Sequence, residues 1–334
     1  MIFSIFIVNQ HCKEMDEISL LDLYKCICND IISKLSTKLN KSFKSFLMET
    51  LVLYMVIPGR INFLQLGRYG KSCEQRLRQN FSKSFDWLSF NLSVADKVLT
   101  GYRKAIAIDP SFISKSGNHT PWISYFWSGT SSMAQRGLEI LGVGLIDIDT
   151  KDCISLQAVQ TPDSNTLENI TSNLIDWYLL SLKLMKEKLR SASKYNVADA
   201  YFSKYSFSVG VQEMDFDLIS RFRSDAVLYY PTLQEPTGKR GRPKLYDGKI
   251  EMSNLDKSRV EKIDIDNGEL YTLIAYSKSL KQKVRLAIWY SKEYRKPKLF
   301  FSTDIKMSGN DVIEYYRTRF QIEFCFRDAK GFTG

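Results

Sequence analysis

Tyr316, Arg319, Glu323 and Lys330 follow one another at intervals of three, four and seven residues. On a helix turning about 100° per residue these four fall within a ~60° sector. Val312, Ile313, Tyr315, Phe320, Ile322, Phe324 and Phe326 make most of the remaining surface apolar. The spacing therefore predicts a largely buried helix with one stripe of acid, phenol and cations. A carboxylate in such a stripe can hold a hard cation. An arginine fork and a lysine point charge can pair with phosphate, and a tyrosine can donate one hydrogen bond to it. A solvated polar face with incidental charges is the bland alternative.

The elements around the stripe show how it is positioned. Ser308 and Asp311 cap a helix predicted to run to about Ala329, with Gly331 as its stop. Upstream, KAIAIDPSF reads as a short buried strand reaching Asp109 and broken by Pro110. GLEILGVGLIDI and CISLQAVQ flank a hairpin turn at 149–152, and an amphipathic helix follows over roughly 165–191. YNVADAYFS is another short strand, ending at Asp199, with a helix after it, and AVLYYP (226–231) is a fifth strand. Three strands, helix, strand, helix, strand points to a mixed α/β sheet. Taken alone, Asp109 and Asp199 are ordinary strand-end turn residues.

Residues 16–58 read as helices stopped by Pro58-Gly59. Next, a short helix ending at Gly67, a turn at Gly70 and a capping box of Ser72 with Gln75 suggest a helix-turn-helix layout, its second helix carrying Arg76 and Arg78. A charged face on a packing helix explains these arginines equally well. Residues 232–303 interrupt the α/β alternation with period-2 segments and an Asp266-Asn267-Gly268 hairpin turn. At their head, Lys239-Arg240-Gly241-Arg242-Pro243-Lys244 is similar to an AT-hook, whose extended arms enter a narrow minor groove. A solvated basic loop is the alternative. Trp289 and Tyr290 are weighed as a stacking surface for an unpaired base against ordinary packing.

The 334 residues carry 47 Lys and Arg against 37 Asp and Glu, a net charge of +10 that favours a polyanionic partner. Six cysteines make no disulfide framework, and two histidines far from Cys26 and Cys28 give no zinc spacing. GRYGKS (67–72) has two residues between its glycines where a phosphate loop needs four, and Gly142 and Gly144 lack a third glycine. Asp147, Asp149, Asp152, Asp163, Asp176 and Asp304 are expected at turns, in an entry loop or in solvent, not as ligands. MIFSIFIV lacks the basic start and cleavage pattern of a signal peptide, and Met15 is an alternative start. No apolar run reaches the ~20 residues a membrane span needs, so an intracellular protein away from the membrane is expected.

The Tyr316–Arg319–Glu323–Lys330 stripe, the strands ending at Asp109 and Asp199, and the β-rich segment before the glutamate helix together resemble the DDE transposases of bacterial insertion sequences, in the insertion sequence 4 group. The resemblance covers about residues 60–334. It implies an α/β fold with a ribonuclease-H-like core, a mixed sheet with helices. The domains would be an N-terminal helical, DNA-binding domain (1–100), a catalytic core (101–231 and 304–334) and a β-rich insertion with a basic loop (232–303). It further implies Asp109, Asp199 and Glu323 as the catalytic carboxylates holding Mg²⁺ or Mn²⁺, as two ions, with Tyr316, Arg319 and Lys330 on the transposon end. Arg240, Arg242, Arg76 and Arg78 are further DNA-binding candidates. Three carboxylates in one cleft repel one another, and divalent cations remove that conflict. The implied activity is binding of terminal inverted repeats, metal-dependent cleavage of double-stranded DNA and strand transfer, by a homodimer on DNA, in the cytoplasm at the nucleoid. The sequence stops at Gly334, four residues after Lys330, where resembling transposases continue. The alternative expectation is a truncated remnant that binds DNA without cutting it.

Overall fold

The computed structural model describes residues 19–35, 39–117, 119–233, 244–265, 267–293 and 296–333. It is a mixed α/β protein with N-terminal helices, a 12-stranded mixed sheet and a C-terminal helix. The chain divides into two compact units. One comprises Met1–Lys104, Asp109–Asp163 and Gln321–Gly334, the other Ala105–Ile108 and Ser164–Phe320.

The first unit opens with α1 (Leu20–Lys34), α2 (Lys41–Val56), α3 (Phe63–Tyr69), α4 (Glu74–Phe81) and α5 (Trp87–Val98). Ser19, Asn40, Asn62 and Asp86 cap four of them with side-chain oxygens. The expected Ser72–Gln75 capping box does not form: Cys73 is the N-cap of α4 and makes no side-chain bond. Ser72 is engaged elsewhere, because the Glu49 carboxylate accepts from Lys71 N (2.5 Å), Ser72 N (2.8 Å) and Ser72 Oγ (2.7 Å). Helix α3 also runs past Gly67 to Tyr69. Gly70 supplies the turn, since a Cβ there would lie 2.6 Å from Leu66 O and 2.7 Å from Glu49 Oε1.

The same unit holds the second half of β1 (Lys104–Ser114), with β2 (Ser124–Ser128), β3 (Met133–Asp147) and β4 (Asp152–Gln160). β2 is the edge strand and pairs antiparallel with β3, as does β4. Two expectations need correction. Strand β1 runs through Pro110, because its registered pairing with β5 stops at Ala107 and a proline is tolerated where a strand loses a neighbour. Strand β2 was not expected, its five residues being too short a period to stand out from the Ser- and Gly-rich loops around it. The β3–β4 hairpin closes as expected, with Asp147 opposite Asp152.

In the second unit, β5 (Tyr195–Val197) lies parallel to β1 and to β6 (Asp217–Phe222). β12 (Lys298–Ser302) pairs antiparallel with β6, and the order continues through β11 (Gln282–Tyr290), β10 (Gly268–Ser277), β7 (Leu228–Pro231) and β8 (Tyr246–Lys249). β9 (Glu261–Ile265) pairs with β10 across the turn before Gly268, whose φ of 127° favours glycine. The β-rich segment thus extends the sheet through the β12–β6 ladder. The helix expected over 165–191 is two, α6 (Ser164–Ile170) and α7 (Leu174–Ala192), because Asn173 starts a new helix by capping Asp176 N. Helix α8 (Tyr205–Glu213) follows β5, and β6, hidden between two turns, was not anticipated.

The helix expected from Ser308 to Ala329 is also two, α9 (Gly309–Thr318) and α10 (Gln321–Thr333). Arg319 N donates to both Tyr315 O (3.3 Å) and Tyr316 O (3.2 Å), and Phe320 N reaches only to Arg317 O (3.4 Å). That tightening to i→i+3 bonds ends α9. It leaves Phe320 about half exposed, whereas Val312, Ile313, Tyr315 and Ile322 are buried as expected.

Candidate functional site

In the first unit, the glycines of β3 set how closely α10 approaches the sheet. A Cβ at Gly142 would run into the Phe326 ring, and one at Gly144 would sit 3.0 Å from Cys153 Sγ and 3.5 Å from Ile322 Cδ1. Both glycines are packing positions for the helix that carries Glu323 and Lys330. Glu323 lies in its first turn, half-buried, two turns before Lys330. Lys330 Nζ donates to Ser111 Oγ (2.9 Å) and Phe112 O (2.6 Å), which ties α10 to β1 just beyond Asp109. Desolvation there pulls the Lys330 ammonium below its usual pKa, and the charge of Asp109 opposes that shift. A cavity of about 420 Å³ opens beside this contact, walled by Ser111, Gly142, Ser155, Cys325, Phe326 and Lys330 among others. Cys325, one of these walls, donates from Sγ to Cys153 O at 3.6 Å.

In the second unit, Asp199 follows β5 and caps a short 3₁₀ turn (Ala200–Phe202), accepting from Tyr201 N at 2.9 Å. Ser220 Oγ holds the Asp199 carbonyl at 2.7 Å. The local turn role open to a strand-end aspartate is therefore filled. Tyr316 of α9 packs on Phe300 with ring centroids 5.0 Å apart, and the Arg319 guanidinium lies 5.9 Å from the Tyr316 ring centre. Burial raises the Tyr316 pKa; Arg221 and Arg319 oppose that rise, and Asp199 adds to it. Asp199, Arg221, Tyr316 and Arg319 are thus electrostatic neighbours. Arg221 was not foreseen, because a single exposed arginine in a strand of otherwise mostly buried residues carries no signal of its own.

Along the parallel β1–β5 ladder, Ala107 is registered on Val197. Asp109 and Asp199 each lie two residues further on. The carboxylates implied for a metal are chemically suited to Mg²⁺, which prefers oxygen ligands. The side-chain grouping does not yet fit one: among the described residues no three His, Cys, Asp or Glu side chains are gathered to hold an ion.

The other DNA-binding candidates divide. Arg78 is held by Glu74 (Nε–Oε1 2.9 Å) and lies over the Phe63 ring at 4.6 Å, while Arg76 Nη2 reaches Ser42 Oγ at 3.4 Å. Arg240 and Arg242 lie outside the described residues. Trp289 does not offer a stacking face: it is buried, donates to Asn267 O, and has Lys298 and Arg317 over its ring at 5.3 and 5.5 Å. Tyr290 donates to Met252 O.

Three of the acids set aside have structural tasks. Asp147 is fully buried and accepts from Gly101 N (2.6 Å), Asp149 N (3.0 Å) and Thr150 N (3.1 Å). Asp149 accepts from Tyr102 N, Arg103 N and Arg103 Nε, and the Arg103 backbone bond leads the lowering of its pKa. Asp304 accepts from Lys194 Nζ (2.8 Å) and Tyr195 Oη (3.0 Å). Among the described residues no helix is long and apolar enough to cross a membrane. Compared with models of known protein families and with curated proteins, the chain matches none.

Proposed function

We propose that the chain is a metal-dependent DDE transposase with a ribonuclease-H-like core, which binds the terminal inverted repeats of its insertion sequence, cuts the DNA and joins the ends to a target. The observation that carries this reading is the registered pairing of Ala107 with Val197 on parallel neighbouring strands, two residues before Asp109 within β1 and two residues before Asp199 in the turn that follows β5. Rigid strands are good platforms for groups that must be held in fixed geometry. The tie of Lys330 to β1 beyond Asp109, and the grouping of Tyr316 and Arg319 with Asp199, add support.

Asp109, Asp199 and Glu323 are the carboxylates that would hold Mg²⁺ or Mn²⁺ once brought together, and such ions would supply the charge neutralisation that phosphoryl transfer needs. Arg319 orients a phosphate through its planar fork, and Lys330 does so as a point charge. Tyr316, a phenol whose pKa burial raises further, donates a hydrogen bond to phosphate. The protein would work as a homodimer on double-stranded DNA, in the cytoplasm. A second reading, a remnant that binds DNA without cutting it, is favoured by one observation, the lack of a gathered metal-ligand group among the described residues.

Supercoiled plasmid carrying the DNA that flanks the gene separates the two. Cuts at the element's ends that need Mg²⁺ and stop in EDTA support the transposase. DNA that shifts on a gel and is never cut supports the remnant.

A further inference from the structure

Two aromatic rings of the edge strand β2 stand in solvent: Tyr125 is 69% exposed and Trp127 63%. They are two residues apart and so share one face of the strand. Antiparallel pairing sets Arg136 opposite Tyr125 and Ala134 opposite Trp127 on that face. Arg136 also ties the approach to the hairpin through Ser116 O (3.0 Å). Single exposed rings are ordinary, but two on one strand face make contiguous apolar surface of the kind that marks interaction sites.

We infer that this face of the β2–β3 hairpin binds single-stranded DNA, stacking its unpaired bases on Tyr125 and Trp127. The charge pattern selects the occupant. Between Asp109 and Glu139 the sequence holds no acidic residue, but it has Lys115, Arg136 and many Ser and Thr hydroxyls, a composition matched to phosphates. Spacing agrees: residues two apart on a strand are about 6.8 Å apart, twice the ~3.4 Å rise between successive bases. Aromatic platforms in a cationic setting bind single strands with little sequence preference. An edge that added a second copy of the chain would gain nothing from the absence of acids. The choice of DNA rests on the transposase reading, in which strand cleavage leaves unpaired ends.

The test uses the full chain and a fluorescent dT oligonucleotide of about ten nucleotides, with a duplex of the same length beside it. Tyr125→Ala and Trp127→Ala are each expected to weaken single-strand binding about tenfold. Trp127→Phe should recover most of that loss, whereas Trp127→Leu should not, and duplex affinity should hold within about twofold. Both side chains are exposed, so thermal melting should be unchanged. Unaltered oligonucleotide binding in the double alanine variant would overturn the inference. So would equal rescue by Leu and Phe, or a sedimentation shift showing that the face joins two copies. Plasmid cleavage by Glu323→Gln, assayed in parallel, separates the two ideas: retained cutting defeats the transposase reading and leaves the stacking surface standing.

Discussion

Lys330 Nζ lies 2.9 Å from Ser111 Oγ, joining residues 219 apart in sequence and fastening the last helix to the strand that carries Asp109. The bond holds the ammonium near Asp109, which lies within β1 and whose charge opposes the lowering of the lysine's pKa by desolvation.

Replacing Lys330 by Met keeps the length of the side chain and removes its charge. DNA affinity should fall, and the slope of log affinity against log salt should flatten by about one unit. Binding titrations at several salt concentrations check this; an unchanged slope would show that Lys330 does not meet phosphate.

Neutralising Arg240 and Arg242 together should flatten the same slope by up to about two units. These residues lie outside the described structure, so the expectation rests on the basic run alone. If the slope stays put, the loop does not touch DNA.

The Glu49 carboxylate organises the turn between α3 and α4. Burial pushes its pKa up, but the Ser72 and Lys71 hydrogen bonds outweigh burial and hold it below the usual value. A depressed folded pKa contributes stability that is complete above the unfolded value of about 4.3 and is lost as pH falls through the folded value. Glu49→Gln should therefore flatten the acid limb of the stability curve below about pH 5, while Glu49→Ala should cost about 1–3 kcal/mol at neutral pH by stranding three donors. Denaturant unfolding from pH 3 to 7 measures both.

Asp147 offers a contrast with the proposed catalytic acids. Asp147→Ala strips a buried acceptor from three backbone N–H groups, at a cost of about 1–3 kcal/mol or more. Cleavage per folded molecule should be unchanged. A loss of chemistry without a loss of stability would place Asp147 in the site.

Sequence periodicity was enough for the β3–β4 hairpin, α1 and α2, because their apolar spacing is sustained over several turns or pleats, whereas Pro110 hid the second half of β1. The five- and six-residue strands β2 and β6 were too brief for that signal, although the shorter β5 and β7 showed through their apolar residues. The break at Arg319 and Phe320 has no glycine or proline to announce it; it is decided by which carbonyls the two backbone N–H groups reach. Ser72 was misread for a related reason: its local capping option lost to Glu49, a partner 23 residues away. The spacing of Tyr316, Arg319, Glu323 and Lys330 predicts one stripe on one helix, and the break instead leaves Tyr316 on α9 and Glu323 and Lys330 on α10. The tie of Lys330 to Ser111 and the approach of Arg221 to Tyr316 are tertiary and left no mark in the sequence.

The most direct test of the central claim compares Asp109→Asn, Asp199→Asn and Glu323→Gln on one DNA substrate, measuring end binding and Mg²⁺-dependent cleavage for each. All three should bind within a fewfold of the wild type and cut at no detectable rate, because each removes one of the three carboxylates proposed to act together. Wild-type cleavage by any one of them would contradict the assignment.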